Sequence, residues 1–305
     1  MKKLTFKELA KKILEEEKKP LTVEEIWGKA LEKGYNELVG TTGKTPWRTI
    51  GAQIYVDIRD NPNSPFIKID SKPRKFFLKS LQSNLNEIKI EEKKSENKFS
   101  SFKEKDLHSV LSYFAYAYMN VHTKTIRHQK SKKGKYSQWL HPDLVGVYFP
   151  LEEWKTDVID FAKEIGSTLI TLYSFELKKE ISFNNLREAF FQAVSNSSWA
   201  NEGYLASAHI FQDDELFSEL KRLSTAFGIG IIKLDIENPD NSEILFSAKR
   251  KNQLDWETIN KLASENPDFK TFLNRVRIDL SSKEIRKEKY DKVYEPEEIV
   301  KKLKK

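Results

Sequence analysis

Leu4, Leu9, Ile13 and Leu14 recur at helical spacing until Pro20 halts them, so the chain opens on an amphipathic helix. Thr22 stands three residues before Glu25, a capping box. Ile26, Trp27, Ala30 and Leu31 then give the apolar face of a second helix that stops at Gly34. A loop containing Gly40 and Gly43 leads to Thr45 and Pro46, a cap and first turn for a third helix through Trp47, Ile50, Ile54 and Ile58. Two short β-type runs, Phe66–Ile69 and Lys75–Leu78, follow across a polar turn. Three helices and a hairpin in this order predict a winged helix-turn-helix over residues 1–80.

Residues 81–102 are rich in serine, asparagine, lysine and glutamate and read as a flexible linker. In 103–280 an aromatic helix over 107–121 comes first. Apolar runs at 144–149, 168–177, 204–210, 230–236 and 244–248 then alternate with helical patterns over 152–165, 185–200 and 215–227. Strands alternating with helices predict an α/β domain with a mixed central sheet, so the fold class of the whole is α+β. Residues 281–305 are mostly charged and predict a frayed tail.

Composition narrows the function. The 305 residues leave room for two cores, and 53 basic against 46 acidic side chains give a net charge of +7, a mild bias toward a polyanionic partner. Cysteine is absent, which excludes disulfides, thiolate metal sites and a cysteine nucleophile. No apolar run is long enough to span a bilayer, and charges interrupt the basic N-terminus before a signal-peptide core forms, so the cytoplasm is the expected location.

The third helix has a docking face and a polar face. Arg48, Thr49 and Gln53, with the preceding Lys44 and Thr45, are placed to meet base edges, since arginine donates bidentately to guanine and glutamine to adenine. Lys72, Arg74 and Lys75 in the hairpin are placed for phosphates or a minor groove. The competing reading is a set of solvated charges on a protein-binding winged helix. Over residues 2–79, the opening helices, the Gly43-Lys44-Thr45-Pro46 segment and Ile58-Arg59-Asp60-Asn61-Pro62 resemble the HARE-HTH domain, a winged helix of restriction endonucleases, an RNA polymerase subunit and chromatin proteins. The resemblance implies contact with double-stranded DNA and sensitivity to modified bases.

Phosphodiester hydrolysis needs carboxylates that hold Mg²⁺ on the scissile phosphate and a group that positions water. Asp143 immediately precedes an apolar strand, and Glu176-Leu177-Lys178 stand at the polar end of another, where residues two apart share a face. The bland alternative is a salt bridge between Lys178 and a neighbouring carboxylate. The arrangement resembles the PD-(D/E)xK nuclease superfamily. That resemblance implies Asp143 and Glu176 as ligands of Mg²⁺ (or Mn²⁺), the Leu177 carbonyl as a third, and Lys178 as the group that orients water. It also places Gln192 near the metal, although the tyrosine that accompanies such a glutamine in some relatives is replaced by Asn196. Glu104 and Asp106 precede the first helix rather than lying inside it, so the glutamate that many relatives supply there has no assignment. Lys124, Arg127 and Lys130, in a basic run between the first helix and Asp143, are placed to grip a phosphate backbone; a solvated loop is the alternative.

Residues 107–280 also resemble HrgA-type, restriction-associated proteins through WLHPDLVGVYFP and the 172–206 segment. Together these readings predict a Mg²⁺-dependent restriction-type endonuclease. A homodimer is a candidate assembly because two strands must be cut, and a DNA methyltransferase is the functional partner that a restriction role implies. The alternative is a non-catalytic DNA-binding regulator whose second domain is a degenerate nuclease-fold sensor.

Overall fold

The computed structural model describes residues 4–39, 46–69, 71, 74–82, 102–131, 141–166, 169–211 and 213–304. They form an N-terminal and a C-terminal unit, each with its own core.

In the N-terminal unit, helix α1 (Phe6–Glu17) starts at Thr5, whose side chain accepts the Glu8 N–H while Glu8 reaches back to Thr5 N. Helix α2 (Val23–Glu32) opens on the same device, Thr22 with Glu25, as the sequence predicts. It ends at Gly34, which takes φ +69°, a left-handed turn that a side chain would strain. A short helix α3 (Asn36–Val39) that the pattern does not signal precedes α4 (Pro46–Asp60). Strands β1 (Phe66–Ile69) and β2 (Lys75–Leu78) pair antiparallel, and Leu21 adds a bridge to Phe76 with backbone bonds in both directions. Leu9, Ile13, Leu14, Ile26, Ile50 and Ile54 are fully buried in the core beneath them. Lys7 pairs with Asp57 of α4 at 2.7 Å; burial pushes the Asp57 carboxyl up, and the bonds from Lys7, Ser64 and Asn61 outweigh it and hold it low. Leu81 packs on this core, so the segment expected as linker begins inside the unit; residues 83–101 lie outside the described residues.

The C-terminal unit is built on a six-stranded mixed sheet in the order β3-β4-β5-β6-β7-β8. Its strands are β3 (Val121–Thr125), β4 (Leu144–Tyr148), β5 (Thr171–Ile181), β6 (Glu202–Ile210), β7 (Gly230–Lys233) and β8 (Glu243–Phe246). The β5/β6 and β6/β7 pairs are parallel and the others antiparallel. Helix α5 (Leu107–Met119) leads into β3, α6 (Thr156–Glu164) follows β4, and α7 (Leu186–Asn196) and α8 (Asp214–Phe227) are the crossovers that parallel pairing requires. Gly146 in β4 is where the sheet tightens: a Cβ there would lie 2.5 Å from the Val121 side chain and 3.0 Å from the Phe175 ring. Helices α9 (Trp256–Glu265) and α10 (Pro267–Ser282) supply Ile259, Leu262, Phe269, Phe272 and Val276 to a core that also takes Val145, Val147 and Trp199.

Two expectations change here. β3 occupies the start of what the sequence reads as a basic loop. The charged C-terminal residues are a folded wall rather than a frayed tail: α11 (Pro296–Leu303) buries Ile299 and Leu303, and Tyr290 is buried with its hydroxyl donating to Asp279 at 2.7 Å. The Asp291 N–H donates to the Thr123 carbonyl at 2.8 Å, tying that wall to the edge strand. Three apolar anchors suffice for a segment whose other positions face water. Among the described residues no helix is long and apolar enough to cross a membrane.

Candidate active site and nucleic-acid interface

Asp143 sits just ahead of β4 and is tied on both sides: its N–H donates to the Phe175 carbonyl at 3.1 Å and its carbonyl accepts the Ile126 N–H at 2.9 Å. Leu144 pairs with Phe175, so one step further along the register Asp143 falls beside Glu176. Its Oδ2 accepts the Leu177 N–H at 2.7 Å. The β5 strand runs to Ile181, which puts Glu176 and Lys178 inside it rather than at its end. Residues two apart project from one face, and Lys178 Nζ donates to Glu176 Oε1 at 2.8 Å. The structure therefore brings Asp143, Glu176, Leu177 and Lys178 together, with the salt bridge as part of the cluster.

Asn196 and His128 join the cluster beyond the residues assigned from the sequence, and so does Glu104, which the sequence leaves without a role. Asn196, the last residue of α7, donates through Nδ2 to Glu176 Oε2 at 2.8 Å and to the His141 carbonyl at 3.2 Å. It lies four positions, about one turn, beyond Gln192, which is half-buried; among the described residues no hydrogen bond joins Gln192 to Glu176 or Asp143. The α7 residue that reaches the carboxylates is thus Asn196 rather than Gln192. His128 Nε2 lies 3.2 Å from Asp143 Oδ1. It is aimed there by Asn266, the buried cap of α10, whose Nδ2 donates to the Arg127 carbonyl and to Ser131 Oγ, and by Asp268, which accepts the Arg127 N–H. Glu104, in the 3-10 turn before α5, feels the charges of Lys178 and Asp143.

The electrostatics follow from this crowding. Burial above all, and then the Asp143 charge, push the Glu176 carboxyl up to about 7 against the pull of Lys178 and Asn196. Burial pulls Lys178 down, but Glu176, Glu104 and Asp143 outweigh it and keep the ammonium charged. The Asp143 bond holds the His128 imidazolium above the usual histidine range. Partial desolvation raises Glu104, with Lys178 opposing and Asp143 adding to the effect. At a pH high enough to ionise Glu176 and leave His128 neutral, one ammonium faces three carboxylates and the cluster carries two negative charges in excess. That donor chemistry fits a hard divalent cation. Among the described residues no three His, Asp or Glu side chains enclose a metal by themselves, so such an ion would complete its shell from a backbone carbonyl, water and substrate oxygens.

Asn196→Ala is expected to cost about 2 kcal/mol, because Glu176 Oε2 and the His141 carbonyl lose a donor inside the domain. Urea unfolding of the purified variant beside the parent chain checks this, and an unchanged midpoint would remove Asn196 from the account.

The basic run is only partly free. Lys130 forms a 2.6 Å ion pair with Asp268, and Lys124 donates to the Lys289 carbonyl at 3.3 Å, while the Arg127 side chain is exposed. In the N-terminal unit Thr49 on α4 is exposed, and Arg48 and Gln53 are half-buried, as are Arg74 and Lys75 at the hairpin. Lys44, Thr45 and Lys72 lie outside the described residues.

No curated protein matches the chain. No solved structure matches it either. Residues 4–78 do match a family model, whose description names a helix-turn-helix domain of ASXL proteins and restriction endonucleases, and on that match this segment is a HARE-HTH domain.

Proposed function

We propose that this protein is a divalent-metal-dependent endonuclease that engages double-stranded DNA through its HARE-HTH domain and hydrolyses a phosphodiester at the Asp143–Glu176–Lys178 centre. The observation that carries the reading is the meeting of Asp143, just ahead of β4, with Glu176 and Lys178 of β5, with Glu176 buried. A family whose description includes restriction endonucleases supports DNA as the substrate.

Asp143 and Glu176 would hold Mg²⁺ or Mn²⁺. The Leu177 carbonyl is a candidate third ligand, because its N–H leaves the strand toward Asp143 and a strand residue presents N–H and C=O to the same edge. The bound ion would supply Lewis acidity toward the scissile phosphate and its water. Lys178 offers an ammonium whose other protons can position the attacking water and meet developing charge. Asn196 fixes the Glu176 carboxylate, and His128 fixes Asp143, so neither ligand has to reorganise. Arg48, Thr49 and Gln53 supply base-edge contacts, Arg74 and Lys75 phosphate contacts.

The test is cleavage of methylated and unmethylated bacterial genomic DNA with Mg²⁺ or EDTA, run with Asp143→Asn and Arg48→Ala. Asp143→Asn should lose cutting, by roughly a thousandfold or more, with DNA affinity retained in a shift assay. Arg48→Ala should weaken affinity or relax site choice with chemistry intact. Fragments produced equally by Asp143→Asn would refute the assigned centre. Binding without cutting by the parent chain would leave a DNA-binding regulator.

A further inference from the structure

A cavity of about 290 Å³ is walled by the turn before α5 and the start of that helix, the end of β3 and the C-terminal residues 291–303. It lies close enough to the carboxylate centre that His108 in its wall feels the Asp143 charge. Lys105, Lys292 and Lys302 line it, with the hydroxyls of Ser109, Thr125 and Tyr294. Two carboxylates face it as well, but both already have partners: Asp106 accepts the Lys103 N–H, and Asp291 accepts the Thr125 hydroxyl, each at 2.8 Å.

Two features of this lining point to a ligand. Lys302 Nζ lies 3.0 Å and Lys292 Nζ 4.7 Å from the centroid of the same ring, Tyr294. The ring's quadrupole attracts each ammonium and gathers two cations around one side chain, which suits an anion with several oxygens. The Tyr294 phenol is held below its usual range by Lys302, as a positive local field requires.

The second feature is a relay. The single hydrogen of the Thr125 hydroxyl goes to Asp291 Oδ2, so the 3.1 Å contact between His108 Nδ1 and Thr125 Oγ1 takes its hydrogen from Nδ1. His108 Nε2 is then an unprotonated acceptor, and among the described residues it makes no hydrogen bond. Burial keeps the imidazole neutral.

We propose that this cavity binds a phosphate monoester with a neighbouring hydroxyl, the chemistry of a nucleotide unit, with the phosphate on Lys292 and Lys302 and the hydroxyl donating to His108 Nε2. The unit is a free mononucleotide, because at the 5′-phosphorylated end of a DNA strand the neighbouring 3′-oxygen is already esterified.

Isothermal titration of the full chain in EDTA tests this without calling on cleavage. The probes are 2′-deoxyadenosine 5′-phosphate, 2′-deoxyadenosine, inorganic phosphate, and a short oligonucleotide with and without a 5′-phosphate, all at matched ionic strength. The nucleotide should bind and the nucleoside should not. Lys292→Gln with Lys302→Gln should weaken nucleotide binding about tenfold or more, and His108→Gln should weaken the nucleotide while leaving inorganic phosphate unaffected. A 5′-phosphorylated oligodeoxynucleotide, whose first 3′-oxygen is esterified, should bind more weakly than the mononucleotide; binding as tight or tighter overturns the hydroxyl contact with His108. Absence of nucleotide binding, or equal binding by the double lysine variant with an unchanged circular dichroism spectrum, overturns the proposal. Glu176→Ala should bind the nucleotide like the parent chain, so failure of the cavity and failure of the nuclease reading are told apart.

Discussion

Glu176→Gln is expected to abolish cleavage and, in the metal-free protein at pH 8, to raise the melting temperature. The two effects share one cause. Glu176 is 2% exposed and sits beside Asp143, so its carboxyl is held up to about 7 from an ordinary 4.5. Between those values the folded chain keeps a proton that the unfolded chain releases. Stability therefore falls as pH rises through this window, having been fully present below it. The full swing is roughly 3 kcal/mol for a shift of this size. Glutamine keeps an oxygen for Lys178 and carries no charge, so the penalty disappears, while the weaker attraction to Lys178 and an amide nitrogen that meets Asn196 Nδ2 donor to donor take back part of the gain. A net stabilisation of about 1–2 kcal/mol, a rise of a few degrees, is the expected balance. Other carboxylates, Asp57 among them, titrate in the opposite sense, so the quantity to measure is the difference between the parent and Glu176→Gln, by calorimetry in EDTA from pH 4.5 to 8.5. A difference that does not grow with pH would show that Glu176 ionises normally, and the account of the centre as charge-frustrated would fall.

The contrast with alanine sharpens this. Glu176→Ala also removes the charge, but it leaves Lys178 Nζ and Asn196 Nδ2 without their partner inside the domain. Glu176→Ala is therefore expected to lose cleavage without the gain in stability.

How much of this is legible in the chain depends on whether the signal is local. Thr22 with Glu25, the stop at Gly34 and the β1–β2 runs are contacts between near neighbours, and sequence spacing states them directly. Glu176 and Lys178 share a strand face for the same reason. Asp143 shows itself through its place before an apolar run. Asn196, His128 and Glu104 reach the same point from α7, from the loop after β3 and from the turn before α5, and nothing within a few residues of each reveals it. A buried asparagine ending α7 is the available hint, since a polar side chain there needs a partner. Strand β3 is hidden because its Val121-His122-Thr123 face is followed by lysine and threonine in a basic run. The C-terminal wall is hidden by composition: Tyr290, Ile299 and Leu303 are widely spaced among charges, and their burial depends on surfaces formed much earlier in the chain. Helices α9 and α10 occupy a segment whose apolar pattern predicts nothing, although Asp255 and Asn266-Pro267 are good helix starts once the structure is known.

A divalent cation is expected to bind in competition with the Glu176 proton. Near pH 8 the cluster already holds its excess negative charge, so Mg²⁺ or Mn²⁺ meets a prepared site. Below about pH 7, each pH unit adds the work of removing one proton, and apparent affinity should fall by about tenfold per unit while Glu176 remains the group displaced. At a cation concentration about a hundred times the dissociation constant, stabilisation should be about 2.7 kcal/mol. That gain should be large at pH 8 and much smaller at pH 5.5. Titration calorimetry in two buffers of different ionisation enthalpy reads the released proton directly, and melting with and without Mn²⁺ reads the stabilisation. Glu176→Gln should release fewer protons than the parent chain, only those of His128 remaining, and Asp143→Asn should lose the cation response because it removes the neighbouring ligand. Binding that is independent of pH, or unchanged in Asp143→Asn, would place the cation elsewhere and leave Asp143 and Glu176 as an ordinary buried pair held by Lys178.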